Sequence, residues 1–222
     1  MCATNEGLYA HLSDYKENSL KYDHIGDDGS IETFDLTFNS DSLESLAKTG
    51  GFFSYVYGTV FVILQNERFR SISGNNKDVK GLYINNYRTT LPMQKGLSSS
   101  AAICVLVASS FNVWYSLGFS EAEIMELAYQ GEMKTPSHCG RMDQCVVMGS
   151  NAIAIMEFEN NSVTLTKIPC AATLFFIVVD LLSHKDTVKI LKDLNDCFPF
   201  PKSDVQVTLF PFILLTLITR SW

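Results

Sequence analysis

The sequence predicts an α+β fold. β-rich segments come first along the chain, buried helices follow, and strand-like runs then return. This grouping favours an α+β domain over a repeating βαβ sheet, in which strands and helices alternate. Apolar residues make up 46% of the 222 residues and charged residues 18%, which leaves ample apolar material for a core.

The first half of the chain contains two strand-like stretches and one apolar helix. The pair Asp28-Gly29 predicts a hairpin turn beside IETFDLTF, and KGLYINNY predicts a later strand. Between these stretches, apolar residues recur at helical spacing from Phe52 to Leu64. A helix is therefore expected between the two strands.

The second half begins with a helix whose apolar residues run from Ile103 to Trp114 on both faces, so it is predicted to be buried all round. The next helix is expected to open at Ser120, because Glu123 completes a capping box. Downstream, GRMDQCVVMGS predicts a short helix start. AIAIMEF, SVTLTKI and TLFFIVVD predict strands, and Ser183 predicts the cap of a last helix.

Charge and cysteine usage exclude several classes of function. The net charge is −7, and no Lys/Arg run interleaves with aromatic residues, so nucleic acid is not an expected partner. The six cysteines show no zinc spacing, and Cys104 and Cys145 are predicted to be buried thiols, as in a reducing cytosol. With no signal peptide at Met1, a cytoplasmic location is expected.

The apolar run from Val205 to Ile218 is too short and too interrupted by proline for a membrane helix, so no membrane partner is expected. Two explanations remain for it. It is either a buried strand pair or an aberrant tail, from about residue 202, that does not belong to the natural domain.

The stretch LPMQKGLSSSAA places a glycine and three serines directly before the long buried helix. The first N–H groups of a helix have no partner within it, and that end is electrically positive. Small side chains let a phosphate approach these amides, and serine hydroxyls can also reach a magnesium ion. The alternative is that Ser98 only caps the helix while its neighbours pack. No GxxxxGK[ST] is present, so this is not a Walker P-loop.

LPMQKGLSSSAA resembles the PxxxGLxSSAA motif of the GHMP kinases, the family of galactokinase, homoserine kinase, mevalonate kinase and phosphomevalonate kinase. About 40 residues later, CGRMDQCVVMGS resembles the G-x-M-D-Q segment of the sugar-kinase branch, which carries the catalytic aspartate. The resemblance covers roughly residues 34–195 and is closest to sugar-1-kinases of the glucuronokinase and arabinokinase kind. It implies the family's N-terminal lobe, which is similar to ribosomal protein S5 domain 2, in residues 1–170. An incomplete C-terminal lobe would occupy residues 171–222.

The resemblance also implies ATP and Mg²⁺ as cofactors and a sugar as the small-molecule substrate. The residues implied to bind the nucleotide phosphates are Gly96, Leu97, Ser98, Ser99, Ser100 and Ala101. Ser100 and Glu132 would bind Mg²⁺, and Asp143 would be the catalytic carboxylate that faces the attacking hydroxyl. Gly140 and Arg141 would lie near the sugar.

The residues themselves leave alternatives open. Glu132 could be a solvated carboxylate at a helix end, Asp143 a first-turn carboxylate that only favours the helix dipole, and Arg141 a surface cation. Gln144 is expected only to pack.

Two family motifs have no counterpart in the sequence. One is the Pro-Gly-Arg to Gly-Glu-His stretch, which binds the sugar and supplies a cation beside the catalytic aspartate. The other is the glycine-rich third motif, since no glycine follows Gly149. We therefore expect a chain truncated at both ends that phosphorylates a sugar poorly or not at all. The alternatives are a non-catalytic pseudokinase fragment that binds nucleotide or sugar and, within the family, an isoprenoid-pathway kinase.

Overall fold

The structure is a computed structural model, in which two compact units, Met1–His184 and Lys185–Trp222, can be distinguished. The described residues are 6–26, 28–74, 78–93, 95–137, 139–147, 152–159 and 162–169, with residues 189, 192, 193 and 196. All helices and strands given below belong to the first unit. The predicted strand TLFFIVVD, the helix capped by Ser183 and the apolar tail lie outside the described residues.

The strands form a four-stranded sheet and a separate two-stranded hairpin. They are β1 (Leu8–Tyr15), β2 (Ser19–Ile25), β3 (Ile31–Thr37), β4 (Gly81–Thr89), β5 (Ala152–Glu159) and β6 (Ser162–Pro169). The larger sheet has the order β1-β4-β2-β3, with β2 and β4 parallel and the other pairs antiparallel, while β5 and β6 form the antiparallel hairpin. The strand predictions for β3, β4, β5 and β6 are confirmed, and β1 and β2 are further strands that were not predicted.

One face of the larger sheet builds the core. Leu20 and Tyr22 on β2 lie beside Leu82 and Ile84 on β4, and all four side chains are fully buried. Because side chains alternate along a strand, the intervening residues form the opposite, more polar face. The sheet therefore offers its apolar side to the helices.

Six helices are described: α1 (Ser40–Lys48), α2 (Ser54–Gln65), α3 (Glu67–Ser73), α4 (Ser99–Trp114), α5 (Glu121–Glu132) and α6 (Met142–Val147). The predictions for α2, α4, α5 and α6 are confirmed, including the reciprocal capping box between Ser120 and Glu123. Helices α1 and α3 were not predicted; they begin after the capping side chains of Asn39 and Asn66. No helix within the described ranges is long and apolar enough to span a membrane.

Helix α4 lies largely buried in the core. Ile103, Cys104 and Phe111 are at most 1% exposed. The expectation of burial around its whole circumference is wrong at the last turn, where Val113 is 69% exposed. The helix runs past the edge of the core there, so one side of its last turn meets solvent.

Helices α2 and α5 meet at two glycines. A Cβ atom built on Gly58 would lie 2.2 Å from the carbonyl oxygen of Gly131, and one on Gly131 would lie 2.5 Å from Cα of Thr59. Only glycine allows the two backbones to approach so closely. This contact fixes the last turn of α5, and therefore Glu132, against the core.

Candidate functional site

The loop before α4 turns sharply into the helix. Gly96 has φ 82°, and Ser98 has φ 61° and ψ 33°, so both adopt the left-handed conformation. The helix begins at Ser99, and Ser98 is its N-cap residue without a side-chain capping bond. A left-handed serine is strained, and such strain is typical of functional loops. The serines therefore lie at a helix start as predicted, but Ser98 does not cap the helix through its hydroxyl.

Glu132, the last residue of α5, is only 1% exposed. Burial raises the pKa of its carboxyl above the ordinary value, and the charge of Asp143 raises it further. Hydrogen bonds from Ser100, Cys139 and Gln144 act in the opposite direction by stabilising the ionised form. Glu132 is thus not a solvated helix-end carboxylate.

Asp143 lies in the first turn of α6 and is partly buried. Its charge acts on Glu132, and Glu132 accepts a hydrogen bond from Ser100. These three residues, which are far apart in the sequence, meet where the start of α4, the end of α5 and the start of α6 come together. The site thus has two carboxylates and a hydroxyl at the start of a helix.

Gln144 and Cys139, for which the sequence predicts no chemical role, lie beside Glu132. Gln144 is fully buried, and its Nε2 donates to Oε2 of Glu132 at 2.7 Å. The same nitrogen lies 3.5 Å from Sγ of Cys139, which also contacts Glu132. One feature of the sequence could have indicated a role for Gln144. It is a polar amide between Asp143 and the apolar end of α6, at a place where packing alone would favour an apolar side chain.

The two residues expected near the sugar are placed differently from each other. Nε of Arg141 lies 3.1 Å from Oε2 of Glu126, and its guanidinium carbon lies 4.4 Å from the ring centroid of Tyr129. The charge of Arg141 is thus neutralised on an earlier turn of α5. Gly140 is exposed, and a Cβ atom there would meet nothing within 4 Å.

The turn after α5 is fastened by buried hydroxyls. The Thr135 hydroxyl donates to the carbonyl of Glu132 at 2.7 Å and lies 2.8 Å from the Ser137 hydroxyl. Ser137 also forms a hydrogen bond with Tyr55 on α2. These bonds hold the segment that leads to Cys139 against the site.

The donor atoms suit a hard cation that is shared with a phosphate. Mg²⁺ commonly takes one or two carboxylates and completes its shell with water and phosphate oxygens. Within the described residues, no lysine or arginine forms an ion pair with Glu132 or Asp143, so their charge is open to a cation. The same part of the chain contains no cluster of three His, Cys, Asp or Glu that could hold a metal alone. The residues therefore fit Mg²⁺ bound together with a nucleotide.

Comparisons with known proteins show which proteins the chain is similar to. Residues 54–150 match the family model of the GHMP kinases N terminal domain, a match that includes α2, α4, α5 and α6. Galactokinase of Lactococcus lactis, solved with galactose, is 19% identical, with 76% of this chain and 40% of that chain covered at a TM-score of 0.50.

Two further solved structures are similar at lower TM-scores. Mevalonate kinase of Methanococcus jannaschii is 18% identical, with 70% of this chain and 44% of that chain covered at a TM-score of 0.49. A D-glycero-D-manno-heptose 1-phosphate kinase of Bacteroides thetaiotaomicron is 21% identical, with 72% of this chain and 48% of that chain covered at a TM-score of 0.47.

The described part of the chain is a mixed α/β domain, and residues 54–150 are similar to the N-terminal domain of GHMP kinases. The matched segment is less than half of the 222 residues, and it fits a fragment of the GHMP kinase superfamily. The chain spans less than half the length of the structures with which it aligns.

Proposed function

We propose that this chain binds Mg·ATP at the start of α4 and belongs to a kinase that phosphorylates a hydroxyl of a small molecule, namely a sugar. The observation that carries the proposal is the meeting of Ser100, Glu132 and Asp143 at the start of a buried helix. Two carboxylates without a cationic partner in the described residues are costly unless a cation binds there.

The nucleotide would lie against the loop and the first turn of α4. The free N–H groups at that helix start and the small side chains from Gly96 to Ala101 suit phosphate oxygens. Ser100 and Glu132 would hold Mg²⁺, which neutralises charge on the phosphates during transfer. Phosphoryl transfer depends mainly on such positioning and charge neutralisation.

Asp143 is proposed as the catalytic carboxylate. The acceptor's hydroxyl oxygen forms the new P–O bond, the bond between the γ-phosphorus and the ADP oxygen breaks, and the hydroxyl proton passes to Asp143. A positioned base contributes about 10²–10⁴-fold to such a step. Gly140, which is exposed and leaves space around it, would adjoin the acceptor.

The support for a sugar acceptor is the G-x-M-D-Q pattern from Gly140 to Gln144. A phosphorylated acceptor, as in isoprenoid-pathway kinases, would call for additional free cations. Arg141, the cation of this segment, is already engaged by Glu126 and Tyr129.

A second candidate function is nucleotide binding without efficient transfer. It is favoured by the engagement of Arg141 with Glu126, because no ion pair within the described part of the chain holds Asp143 beside a cation. In that case the chain would act through a partner as a pseudokinase.

The test compares nucleotide binding and transfer in one set of variants. We expect calorimetry to show Mg·ADP binding to the 222-residue chain, and a coupled ADP-release assay with galactose, arabinose, glucuronate and mevalonate to show at most slow transfer. Asp143→Asn should keep Mg·ADP binding and lose any transfer by about 10²-fold or more. Failure of the wild-type chain to bind Mg·ADP would refute the proposal.

The matched control is Asp41→Asn, which changes an exposed carboxylate in the first turn of α1. It should leave both binding and transfer unchanged. Equal losses in the two variants would mean that Asp143 only favours its helix dipole. Binding by the wild type with no transfer to any acceptor would favour the pseudokinase function.

A further inference from the structure

Gln144 occupies an unusual position for a residue expected only to pack. Its side chain is fully buried on α6, and its amide nitrogen contacts both Glu132 and Cys139. Since an ionised carboxylate can only accept hydrogen bonds, the NH₂ group and not the oxygen must face Glu132. The orientation of the amide is therefore determined by the site.

The oxygen of the same amide has no partner. Among the described residues, Oε1 of Gln144 is one of the few buried side-chain atoms without a hydrogen bond. Buried polar atoms in native proteins almost always have a protein or water partner, so an orphaned one calls for an explanation. Here the orphaned acceptor belongs to a side chain that directly contacts Glu132, the carboxylate we assign to Mg²⁺.

We propose that Gln144 is a positioning residue for the metal: its NH₂ group holds the Glu132 carboxylate towards Ser100, and its Oε1 accepts a hydrogen bond from a water on the ion. This inference rests on the proposed function. Magnesium keeps several waters in protein sites, and each such water has protons to donate. Groups that orient a metal ligand typically change metal affinity by about 10–100-fold when they are removed.

Among the side chains that contact Glu132, Gln144 is the one suited to orient its carboxylate. The Ser100 hydroxyl is itself assigned to the metal, and the Cys139 thiol is a weak donor. The carboxamide is the only strong donor among these contacts that remains free to orient Glu132 once Mg²⁺ is bound. Its position next to Asp143 on one helix turn also ties the orientation of Glu132 to that of Asp143.

The test measures metal-dependent and metal-independent nucleotide binding separately in the 222-residue chain. Gln144→Met is close in shape and removes both hydrogen-bonding functions. We expect it to weaken the affinity for a fluorescent ADP analogue by about 10-fold or more with Mg²⁺ present, and by less than about 2-fold in EDTA. Mn²⁺ titration of the ADP-bound chain, followed by electron paramagnetic resonance, should show the same loss of metal affinity.

The matched control is Gln130→Met, because Gln130 makes the same kind of bond to Glu126 at 3.0 Å on the exposed side of α5. This variant should bind metal and nucleotide as the wild type does. If circular dichroism shows that Gln144→Met does not fold, Gln144→Asn is used instead, because it withdraws the amide by one methylene group. The same Mg²⁺-specific loss of nucleotide affinity is expected for it.

Three outcomes would overturn the inference. Unchanged metal affinity in the Gln144 variant would leave it a packing role alone. Equal weakening with Mg²⁺ and in EDTA would indicate a general structural effect. A wild-type chain that binds nucleotide with no dependence on Mg²⁺ would refute the metal site itself, and this result is visible without any variant.

Discussion

At the scale of one residue, Glu132 is held in a position that disfavours its charged form. Its carboxylate is buried at the C-terminal end of α5, which is the negative end of the helix dipole. Burial and the dipole both oppose its ionised form, and among the described residues the neutral donors Ser100, Cys139 and Gln144 favour it. Such an arrangement is typical of a functional carboxylate.

A tyrosine outside the site provides a pH-dependent prediction. The Tyr83 hydroxyl donates to Asp23, and this bond, partial burial and the charge of Asp23 raise the pKa of Tyr83 from 10.0 to about 12. The folded protein therefore keeps this proton to a higher pH than the unfolded chain does. Its stabilising contribution is fully present below pH 10 and is lost between pH 10 and about 12.

We expect Tyr83→Phe to lower the free energy of unfolding by about 1 kcal/mol at pH 8 and to make its fall above pH 10 shallower than in the wild type. Urea unfolding at several pH values measures both. Asp23→Asn should reproduce the shallower fall, and the double variant should add little to it. If the free energy of unfolding of Tyr83→Phe fell with pH above pH 10 as steeply as that of the wild type, the bond to Asp23 would not be what raises the pKa of Tyr83.

At the scale of elements, the crossing of α2 and α5 determines where Glu132 lies. We expect Gly131→Ala to destabilise the protein by about 1–3 kcal/mol, because the new methyl group meets Thr59 at 2.5 Å. Alanine favours a helix by about 1 kcal/mol relative to glycine, so the clash must exceed that gain. Mg²⁺-dependent ADP binding should weaken as well, since Glu132 follows directly.

Gly7→Ala is the control for this crossing, because a Cβ atom there would meet nothing within 4 Å. Its unfolding free energy and nucleotide affinity should match those of the wild type. A stabilised Gly131→Ala variant would mean that the helices can separate without cost, and would contradict the close approach.

At the scale of the whole folded unit, Cys104 reports on cooperative unfolding. It is fully buried in α4, its Sγ lies 3.8 Å from the carbonyl of Tyr55, and burial raises the pKa of its thiol well above the usual range. Alkylation requires an accessible thiolate. We expect iodoacetamide to modify Cys104 only in urea, with the same midpoint as the circular dichroism transition.

Mg·ADP should raise that midpoint, since a ligand at 100 times its Kd stabilises the folded state by about 2.7 kcal/mol. Mass spectrometry of the peptide that contains Cys104 gives the extent of labelling, with glutathione as the reference thiol. Modification in native buffer at a rate near that of glutathione would show that α4 opens locally without global unfolding.

Much of the helical core could be predicted from the sequence, because α2, α4 and α5 carry long apolar patterns and α5 has a complete capping box. The first strands were harder to recognise. On β1, for example, His11 stacks on Tyr87 of β4 at the solvent-facing side of the sheet, so polar and aromatic residues interrupt the apolar alternation. Helix α1 had a readable cap in Asn39, but its apolar face is reduced to Leu43 and Ala47 as buried residues.

The sequence by itself determined which residue types stand before and after the buried helices, and the resemblance of its two motifs to GHMP kinases indicated Ser100, Glu132 and Asp143. It could not determine what their side chains contact. Only the tertiary structure decided that Glu132 is buried among Ser100, Cys139 and Gln144, that Arg141 pairs with Glu126, and that Ser98 leaves its helix uncapped. The physical reason is that helical spacing specifies a face of one helix, whereas these contacts arise where three helix ends meet. How these ends meet depends on how closely α2 and α5 can approach at their glycines.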